Sequence, residues 1–366
     1  MSKFKVIQLL PELNIGGVER GTKDFSKVLV QRGHDSLVIS NGGIFEKDII
    51  EDGGKHINLP IHKKSLFSIR YASDLRDIYL SEKPDIVHVR SRMPAWINYF
   101  AYKKLSHKPL LVSTFHGLYS TPLYSQVMSK VDHIIAISKT VKDYIQGTYK
   151  VPNEKITVIP RGCDPEIFNK NPVEETWIKK WYEEFPQTQD KIILTMPTRI
   201  SKWKGVDSFI DLVSLLDDDN YHALIVGPTA KSKKSYLKQL QNKISNYGIE
   251  DKITITGSRN DISNIYKISD FVFNLSIKPE PFGRTTIEAI SSGSKVIGWN
   301  HGGTKEILEE LYPDGLVELD NIDDLAEKVI NLSNMTNNMP KENIFTSESM
   351  TNQTISLYQD LLAKRL

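Results

Sequence analysis

Short apolar runs alternate with longer amphipathic segments along the whole chain. The apolar runs are rich in β-branched residues, which predicts strands of a parallel sheet that are buried on both faces. The amphipathic segments predict helices that cover the sheet. In the first half, the predicted strands are 5–10, 36–40, 85–89, 110–115, 133–137 and 156–160, and the predicted helices are 18–32, 70–81, 94–105 and 138–149.

The second half repeats this alternation, so the chain is predicted to fold as two doubly wound α/β domains. We place the join near 170–185, where X-Pro turns cluster in a polar segment. The domains are then 1–170 and 171–347, followed by a helix in 348–366. In the second half, the predicted strands are 191–197, 221–226, 253–256, 271–275 and 295–299, and the predicted helices are 205–216, 231–247, 260–268, 284–292 and 303–310.

The order of elements indicates where ligands bind. In open parallel sheets, ligands bind outside the carboxyl ends of the strands, on the loops that lead into helices. Residues on helix-to-strand loops lie at the opposite edge. The strand-to-helix loops of this chain are 11–17, 90–93, 116–121, 198–204, 227–230, 257–260, 276–284 and 300–303.

Two glutamates flank the start of a predicted helix in the second half. Glu280 lies in the loop after a strand and Glu288 lies eight positions later, with Gly283 and Thr285 between them. A helix start of this kind can offer main-chain N–H groups to a phosphate, while the carboxylates accept hydrogen bonds from sugar hydroxyls. The alternative is a solvated loop acid and a surface helix acid. An acid on a mostly apolar helix is costly without a partner, which favours the first interpretation.

Two cations follow the first strand of the second half. Arg199 and Lys204 lie in the loop that opens helix 205–216. A forked cation and a point cation at one helix start suit a diphosphate. Basic residues disfavour a helix N-terminus unless an anion is present, so a structural role explains them poorly. A solvated basic turn is the competing interpretation.

The first half carries weaker signals on the same kind of loop. Gly16 and Gly17 open the first helix, where a ligand can approach the main chain closely, although their spacing does not match the dinucleotide fingerprint. His116 ends a strand and precedes a glycine, and it is either catalytic or structural. Arg90 and Arg92 follow another strand and could bind an acceptor.

Other polar features do not predict chemistry. The acidic run Asp217-Asp218-Asp219 joins a helix to a strand and so lies at the wrong edge, as does His34. Cys163 is the only cysteine, which excludes an intramolecular disulfide and a cysteine metal cage. The sequence contains no H-E-x-x-H and no Walker loop. We therefore predict no metal site.

Composition narrows the class of protein. Hydrophobic residues make up 39% and charged residues 25%, as in soluble globular proteins. No apolar run approaches the ~20 residues of a transmembrane helix, and the first residues lack the pattern of a signal peptide. We expect a cytoplasmic protein.

Charge is uneven along the chain. Residues 1–170 have 25 Lys and Arg against 17 Asp and Glu, a balance of +8, whereas 171–366 have 22 against 28, a balance of −6. Surface variation could produce this difference. Alternatively, the first half meets an anionic acceptor or membrane surface.

Together these segments resemble the family 4 retaining glycosyltransferases, which have the GT-B fold, two Rossmann-like domains facing a central cleft. The resemblance covers nearly the whole chain, and the two glutamates separated by seven residues are its most specific element. The motifs that carry it are Gly16-Gly17-Val18-Glu19, Thr114-Phe115-His116-Gly117, the stretch 158–164, Arg199 with Lys204-Gly205, and Glu280 with Glu288. Where the family usually has Asn-Gly-Val-Asp, this chain has Arg161-Gly162-Cys163-Asp164, which we expect to affect the hinge or the acceptor side.

The resemblance implies a role for each motif. Arg199 and Lys204 would neutralise the diphosphate of a nucleotide-sugar donor, and Gly16-Gly17 would close on that diphosphate from the other domain. Glu288 would hold the ribose and Glu280 the transferred sugar. The remaining implied contacts are the main chain of Phe282, Gly283, Arg284 and Thr285 on the sugar and phosphates, His116 on the donor sugar, the turn ending at Arg259 beside the base, and the last helix on the N-terminal domain.

The implied activity is metal-independent transfer of a hexose-type sugar, with no cofactor besides the UDP- or GDP-linked donor. We expect a glycan or lipid-linked acceptor in lipopolysaccharide or glycolipid biosynthesis, an anionic membrane surface at the inner face of the cytoplasmic membrane, and no nucleic acid. Retention by double displacement would need Glu280 as nucleophile. The family favours a same-face route in which the diphosphate takes the acceptor proton, and the sequence does not choose between the two.

Three other functions compete with this one. A sugar-nucleotide epimerase can share the GT-B fold and would use the Glu280/Glu288 pair as acid and base. A dinucleotide oxidoreductase lacks support because the glycine fingerprint and its ribose acid are missing. A non-catalytic binding module would not need the combination of Arg199, Lys204 and two glutamates.

Overall fold

The computed structural model describes residues 3–216 and 218–365. The chain forms two compact units: unit 1 comprises 1–160 with 350–366, and unit 2 comprises 161–349. The predicted domain boundaries, after 170 and 347, lie ten and two residues from the observed ones, after 160 and 349. Met1, Ser2 and Leu366, which the predicted domains include, lie outside the described residues. Residues just after 160 belong to unit 2 because Cys163 pairs with Thr346 and its main-chain N–H donates to Phe345.

Unit 1 alternates strands and helices as the apolar pattern predicts. Its sheet has seven strands in the order β3-β2-β1-β4-β5-β6-β7. The elements are β1 Lys5–Leu9, α1 Gly17–Gln31, β2 Asp35–Ser40, α2 Glu46–Glu51, β3 Lys55–Asn58, α3 Tyr71–Glu82, β4 Ile86–Val89, α4 Arg92–Lys103, β5 Leu110–Phe115, α5 Pro122–Ser125, β6 His133–Ala136, α6 Lys139–Tyr149 and β7 Ile156–Val158.

Unit 2 repeats the arrangement with six strands in the order β10-β9-β8-β11-β12-β13. Its elements are α7 Glu175–Glu184, β8 Ile192–Pro197, α8 Val206–Leu215, β9 Tyr221–Val226, α9 Lys234–Tyr247, β10 Ile253–Gly257, α10 Ile262–Lys267, β11 Phe271–Asn274, α11 Arg284–Ser291, β12 Lys295–Trp299, α12 Gly302–Leu311, β13 Leu316–Val317 and α13 Ile322–Ser333. The final helix is α14, Ser347–Ala363.

Every strand pair in both sheets is parallel. The central strands are buried along their whole length, as in β4 and β5, because helices cover both faces of each sheet. The prediction of two doubly wound α/β units is therefore confirmed. Since the strands of a sheet run the same way, all their carboxyl ends lie at one edge, which we call the carboxyl edge of that unit.

The last helix packs into the core of unit 1. Ile355 and Tyr358 of α14 join the apolar cluster that contains Phe4 and Val6. The Tyr358 hydroxyl lies 2.6 Å from Nδ1 of the buried His88. Burial lowers the pKa of His88 well below its usual value, so the imidazole is neutral and can share this hydrogen bond.

The segment predicted as a polar join contains a helix instead, α7. Aromatic residues recur every four positions along it, so their rings lie on one face. Trp177 and Trp181 stack with their ring centroids 5.2 Å apart, and the Phe185 ring is tilted against Trp181 at 4.6 Å. These three rings pack on Ile193 and Leu224 in the core of unit 2. The prolines at both ends bound the helix and do not interrupt it.

Candidate functional site

The predicted donor residues lie at the carboxyl edge of unit 2. Arg199 and Lys204 are in the loop between β8 and α8, and Glu280 is in the loop between β11 and α11. Glu288 is on α11 itself. Strand direction alone brings these loops to the same edge, because β8 and β11 are hydrogen-bonded neighbours in the sheet.

Lys204 and Glu280 form an ion pair. Lys204 Nζ lies 2.5 Å from Glu280 Oε1, and the Ser276 hydroxyl donates to the same oxygen at 2.6 Å. The two charged side chains are only 21% and 12% exposed, so solvent screens the pair less than an ordinary surface pair. The family resemblance implies that these two side chains bind different parts of the donor, whereas in the structure they bind each other.

The Glu280 loop is fixed by the start of α12. The Gly303 main-chain N–H donates to the Glu280 carbonyl at 2.7 Å, and His301 Nε2 lies 2.7 Å from the Ser276 carbonyl. A Cβ on Gly303 would lie 2.4 Å from the main chain of Phe282, so only glycine permits this approach. Loop 300–303 is predicted to lie at the ligand-binding edge, but Gly303, His301 and Ser276 are not among the predicted site residues. The pair Gly302-Gly303, soon after strand β12, is the sequence signal that could have pointed to this loop.

Glu288 is buried and has partners. Its residue is 8% exposed, and Arg284 Nη2 donates to Glu288 Oε1 at 2.9 Å across one helical turn. The pKa of Tyr266 lies well above its usual value, mainly because the phenol is buried and also because the negative charge of Glu288 is nearby. The buried Glu288 carboxylate is therefore stabilised by the Arg284 guanidinium and lies near the neutral Tyr266 phenol.

The helix start between the two acids has the expected geometry. Gly283 caps α11, and the first main-chain N–H groups of the helix, from Arg284 onward, face the carboxyl edge. The Phe282 side chain is 4% exposed and packs edge-on against Phe345 at 5.8 Å. The Phe282 ring therefore anchors the loop, and its main chain is the part that a ligand could meet.

Arg199 is exposed beside an open pocket of about 700 Å³. Its guanidinium lies 5.5 Å from the Trp203 ring centroid, and Lys204 Nζ lies 4.3 Å from the same centroid. Both predicted cations are therefore next to one indole. Arg199 forms no ion pair with any carboxylate in the described part of the chain, so its charge is available to an anion.

The Arg259 side chain is held by two acids. Its guanidinium donates to both Asp261 oxygens at 2.9 and 2.8 Å and to Glu184 at 2.9 and 3.0 Å. These hydrogen bonds, first those to Asp261, raise its pKa. The side chain ties the turn after β10 to α7. Contact of this turn with a base stays a prediction.

The carboxyl edge of unit 1 carries the other predicted residues. Gly16 is the N-cap of α1, and His116 directly follows β5, with its main-chain N–H 3.5 Å from the Tyr119 hydroxyl. Arg92 donates to the hydroxyls of Thr121 and Ser125 at 3.0 and 3.3 Å. The structure brings Arg92 and the loop after His116 together.

Arg90 is buried, whereas a residue that binds an acceptor at an open edge would be exposed. It is 7% exposed, its Nε donates to Gln8 Oε1 at 2.9 Å, and its guanidinium lies 5.5 Å from the Phe25 ring centroid. Burial lowers the pKa of its guanidinium to about 10. Its role at an acceptor stays a prediction.

The described residues contain no group of three His, Cys, Asp or Glu side chains placed to hold a metal ion. Asp217, the first residue of the acidic run, lies outside the described residues, and Asp218 and Asp219 lie between α8 and β9, at the edge opposite Arg199. Among the described helices, none is both long and apolar enough to cross a bilayer.

Two family models match the chain: Glycosyltransferase Family 4 over residues 15–167 and Glycosyl transferases group 1 over residues 178–347. The crystal structure of a glycosyltransferase from Rickettsia africae ESF-5 is 30% identical, with a TM-score of 0.85 over 99% of each chain.

Two characterised proteins are also similar over most of their length. The N-acetyl-alpha-D-glucosaminyl L-malate synthase of Bacillus anthracis is 24% identical over 95% of each chain. The UDP-Gal:alpha-D-GlcNAc-diphosphoundecaprenol alpha-1,3-galactosyltransferase of Escherichia coli is 24% identical over 91% of this chain and 88% of that one. Their acceptors differ, since one name specifies a small acid and the other a lipid-linked sugar.

Proposed function

Because this chain belongs to the family 4 glycosyltransferases and has the GT-B fold, we propose that it is a retaining hexosyltransferase. The donor is a UDP- or GDP-linked hexose, and the acceptor is a cell-surface glycan or a glycolipid. The observation that carries this proposal is the cluster of an exposed Arg199, the Lys204–Glu280 pair and the buried Glu288 at one sheet edge.

The donor diphosphate binds where positive charge is available. Arg199 and the N-terminus of α11 supply fixed positive charge, and Lys204 can contact a phosphate while it remains paired with Glu280. These groups stabilise the charge that develops on the leaving nucleoside diphosphate. The Glu288 carboxylate, which Arg284 holds in place, accepts hydrogen bonds from the ribose hydroxyls.

The environment of Glu280 bears on the reaction route. Its Oε1 accepts hydrogen bonds from both Lys204 and Ser276. An ammonium and a hydroxyl on one carboxylate lower its nucleophilicity, which favours the same-face route over double displacement. In that route, Glu280 positions the sugar while the bond between the sugar carbon and the diphosphate breaks. The acceptor oxygen bonds to the same face of that carbon, and an oxygen of the departing diphosphate takes the acceptor proton.

A surface of unit 1 supports an acceptor at an anionic membrane. Residues 86–131 contain no Asp or Glu and six Lys and Arg residues, of which only Arg90 is buried. Phe100 and Leu123, in this segment, are 37% and 88% exposed, and Lys103 Nζ lies 4.4 Å from the Tyr99 ring centroid. Exposed aromatic and apolar groups among lysines suit a lipid headgroup region. We place the enzyme as a peripheral protein at the inner face of the cytoplasmic membrane.

The proposal is tested by donor binding. We would measure thermal unfolding of the wild type and of Glu288→Gln with UDP-, GDP-, ADP- and TDP-linked glucose. One nucleotide should raise the melting temperature of the wild type and raise it less in the variant, because ligand binding stabilises the native state. No response to any of the four would contradict a nucleotide-sugar site.

A further inference from the structure

The pocket beside Arg199 contains more positive charge than a nucleoside diphosphate needs. Besides Arg199, three exposed lysines line it, and no acidic residue does. We call these three the lysine rim: Lys202, Lys233 and Lys278. None of them forms an ion pair with a carboxylate in the part of the chain that the structure describes.

Two acids that lie close to the rim lysines in sequence already have partners. Glu280, two residues after Lys278, is paired with Lys204. Asp207 accepts a hydrogen bond from the Tyr236 hydroxyl at 2.5 Å and lies 3.9 Å from Lys243 Nζ. The charge of the lysine rim is therefore not balanced within the protein, and mutual repulsion among the lysines favours occupation by an anion.

The walls of the pocket are joined by main-chain hydrogen bonds. The Ile200 N–H donates to the Pro228 carbonyl at 3.1 Å, and the Ile277 N–H donates to the Trp203 carbonyl at 2.8 Å. These bonds tie the loops after β8, β9 and β11 together. Each of the three loops carries one lysine of the rim. A pocket built in this way is preorganised for its ligand.

The polar lining, the apolar lining and the volume of the pocket each suit a small-molecule ligand. The hydroxyl oxygen of Ser201, a lining residue that is 6% exposed, is buried and has no hydrogen-bond partner among the described residues. Trp203 and Ile277 give the pocket an apolar side. The volume of about 700 Å³ is that of a site for a whole small molecule, for which about 300–1,000 Å³ is usual.

We propose that the lysine rim is a second anion subsite, which holds a phosphate or carboxylate group of the acceptor while the donor diphosphate occupies Arg199, Lys204 and the start of α11. This inference rests on the proposed transferase function and specifies its acceptor as an anionic sugar or sugar phosphate. The charged group is bound by the lysines, and the apolar body lies against Trp203 and Ile277.

Calorimetric titration of inorganic phosphate into the full-length protein tests the subsite, first without nucleotide and then with saturating UDP or GDP, whichever binds. The wild type should still bind phosphate when the nucleotide is saturating, because the two anions occupy different cations. If nucleotide abolishes phosphate binding, there is one anion site and the proposal is wrong. Absence of any nucleotide binding would instead count against the transferase function.

Single alanine substitutions locate the subsite. Lys202→Ala, Lys233→Ala and Lys278→Ala should each weaken phosphate binding to the nucleotide-saturated protein about three- to tenfold, the range for an exposed charge-assisted contact. Lys180→Ala is the matched control, since Lys180 is an exposed lysine on α7. Equal phosphate affinity in all four variants would overturn the proposal, and melting temperatures would confirm that each variant is folded.

Competition identifies the source of the anion. Glucose 1-phosphate and dihexanoyl phosphatidic acid, used below its micelle concentration, would be titrated against bound phosphate. Stronger displacement by the sugar phosphate assigns the subsite to a phosphorylated glycan, and stronger displacement by the lipid assigns it to a lipid-linked acceptor. If neither displaces phosphate, the subsite does not accept an organic anion and the proposal fails.

Discussion

The two carboxyl edges use cations in opposite ways. In unit 2, Lys204 and Arg284 are paired with Glu280 and Glu288, while Arg199 stays exposed. In unit 1, Arg90 and Arg92 have no acid near them in sequence between 86 and 131. They contact an amide, hydroxyls and aromatic rings instead, with the Arg92 guanidinium 4.8 Å from the Tyr119 ring centroid.

The difference indicates two roles for the cations: those of unit 2 position carboxylates, and those of unit 1 attract an anionic partner. A carboxylate that is fixed by a cation has a defined orientation, which suits hydrogen bonds to the hydroxyls of a sugar. A surface that is rich in cations and poor in acids has a net field, which attracts an anionic partner without orienting it closely. We therefore expect substitutions at the edge of unit 2 to affect chemistry most, and substitutions on the surface of unit 1 to affect association.

The largest expected effect is at the Lys204–Glu280 pair. Lys204→Ala and Glu280→Gln should each lower kcat by about a hundredfold or more, the scale found when one preorganised electrostatic group is removed. If the pair both orients the sugar and faces the leaving group, as proposed, neither partner can compensate for the other. Steady-state kinetics with the donor found in the thermal-shift panel would measure this.

A double variant sharpens that result. Lys204→Ala leaves the partly buried Glu280 unpaired, so it should lower the melting temperature, and adding Glu280→Gln should restore part of the loss. Recovery of stability without recovery of activity would separate catalysis from folding. Recovery of both would show that the pair is structural.

The next effect distinguishes the exposed arginine of unit 2 from the hydrogen-bonded one of unit 1. Arg199→Ala should weaken nucleoside diphosphate binding about tenfold or more, given roughly 1.5–3 kcal/mol for a hydrogen bond to a charged group. Arg92→Ala should leave that affinity unchanged. Calorimetric titration of both variants tests the comparison, and equal losses would contradict it.

A smaller effect concerns the basic surface of unit 1. The single variant Lys103→Ala should bind anionic vesicles about fivefold less, since one lysine near such a surface contributes about 1 kcal/mol. The variant Lys180→Ala on α7 is the control and should bind as the wild type does. Flotation with phosphatidylglycerol vesicles and with neutral vesicles at two salt concentrations would measure this. Binding that ignores lipid charge would favour a soluble acceptor.

The smallest expected effect is that of chelation. If the leaving group is stabilised by Arg199, Lys204 and the α11 N-terminus, EDTA should change the rate less than about twofold. The assay is the same donor turnover with and without chelator. Complete loss of activity that manganese restores would show that a metal supplies part of the charge, and would return attention to the acidic run at 217–219.

Sequence patterns located most strands within one or two residues but missed several elements. β3 has only one strongly apolar residue among its four, and β13 is two residues long, so neither produces a run. α13 carries Leu325, Val329 and Leu332 on one buried face, a helical spacing that was available to read. In the site, Gly303 and His301 were missed because their importance depends on a neighbouring loop and not on their own segment.

By itself, the sequence determined the alternation of strands and helices, the family, and the edge on which ligand-binding loops lie, because periodicity and strand direction are local properties of the chain. Only the tertiary structure decided which charges balance one another. It paired Lys204 with Glu280, buried Arg90 beside Gln8, and gathered the lysine rim at one pocket of a segment whose net charge is −6. Electrostatic interactions depend on distance and burial in space, and residues from loops far apart in sequence acquire both only when the sheet assembles.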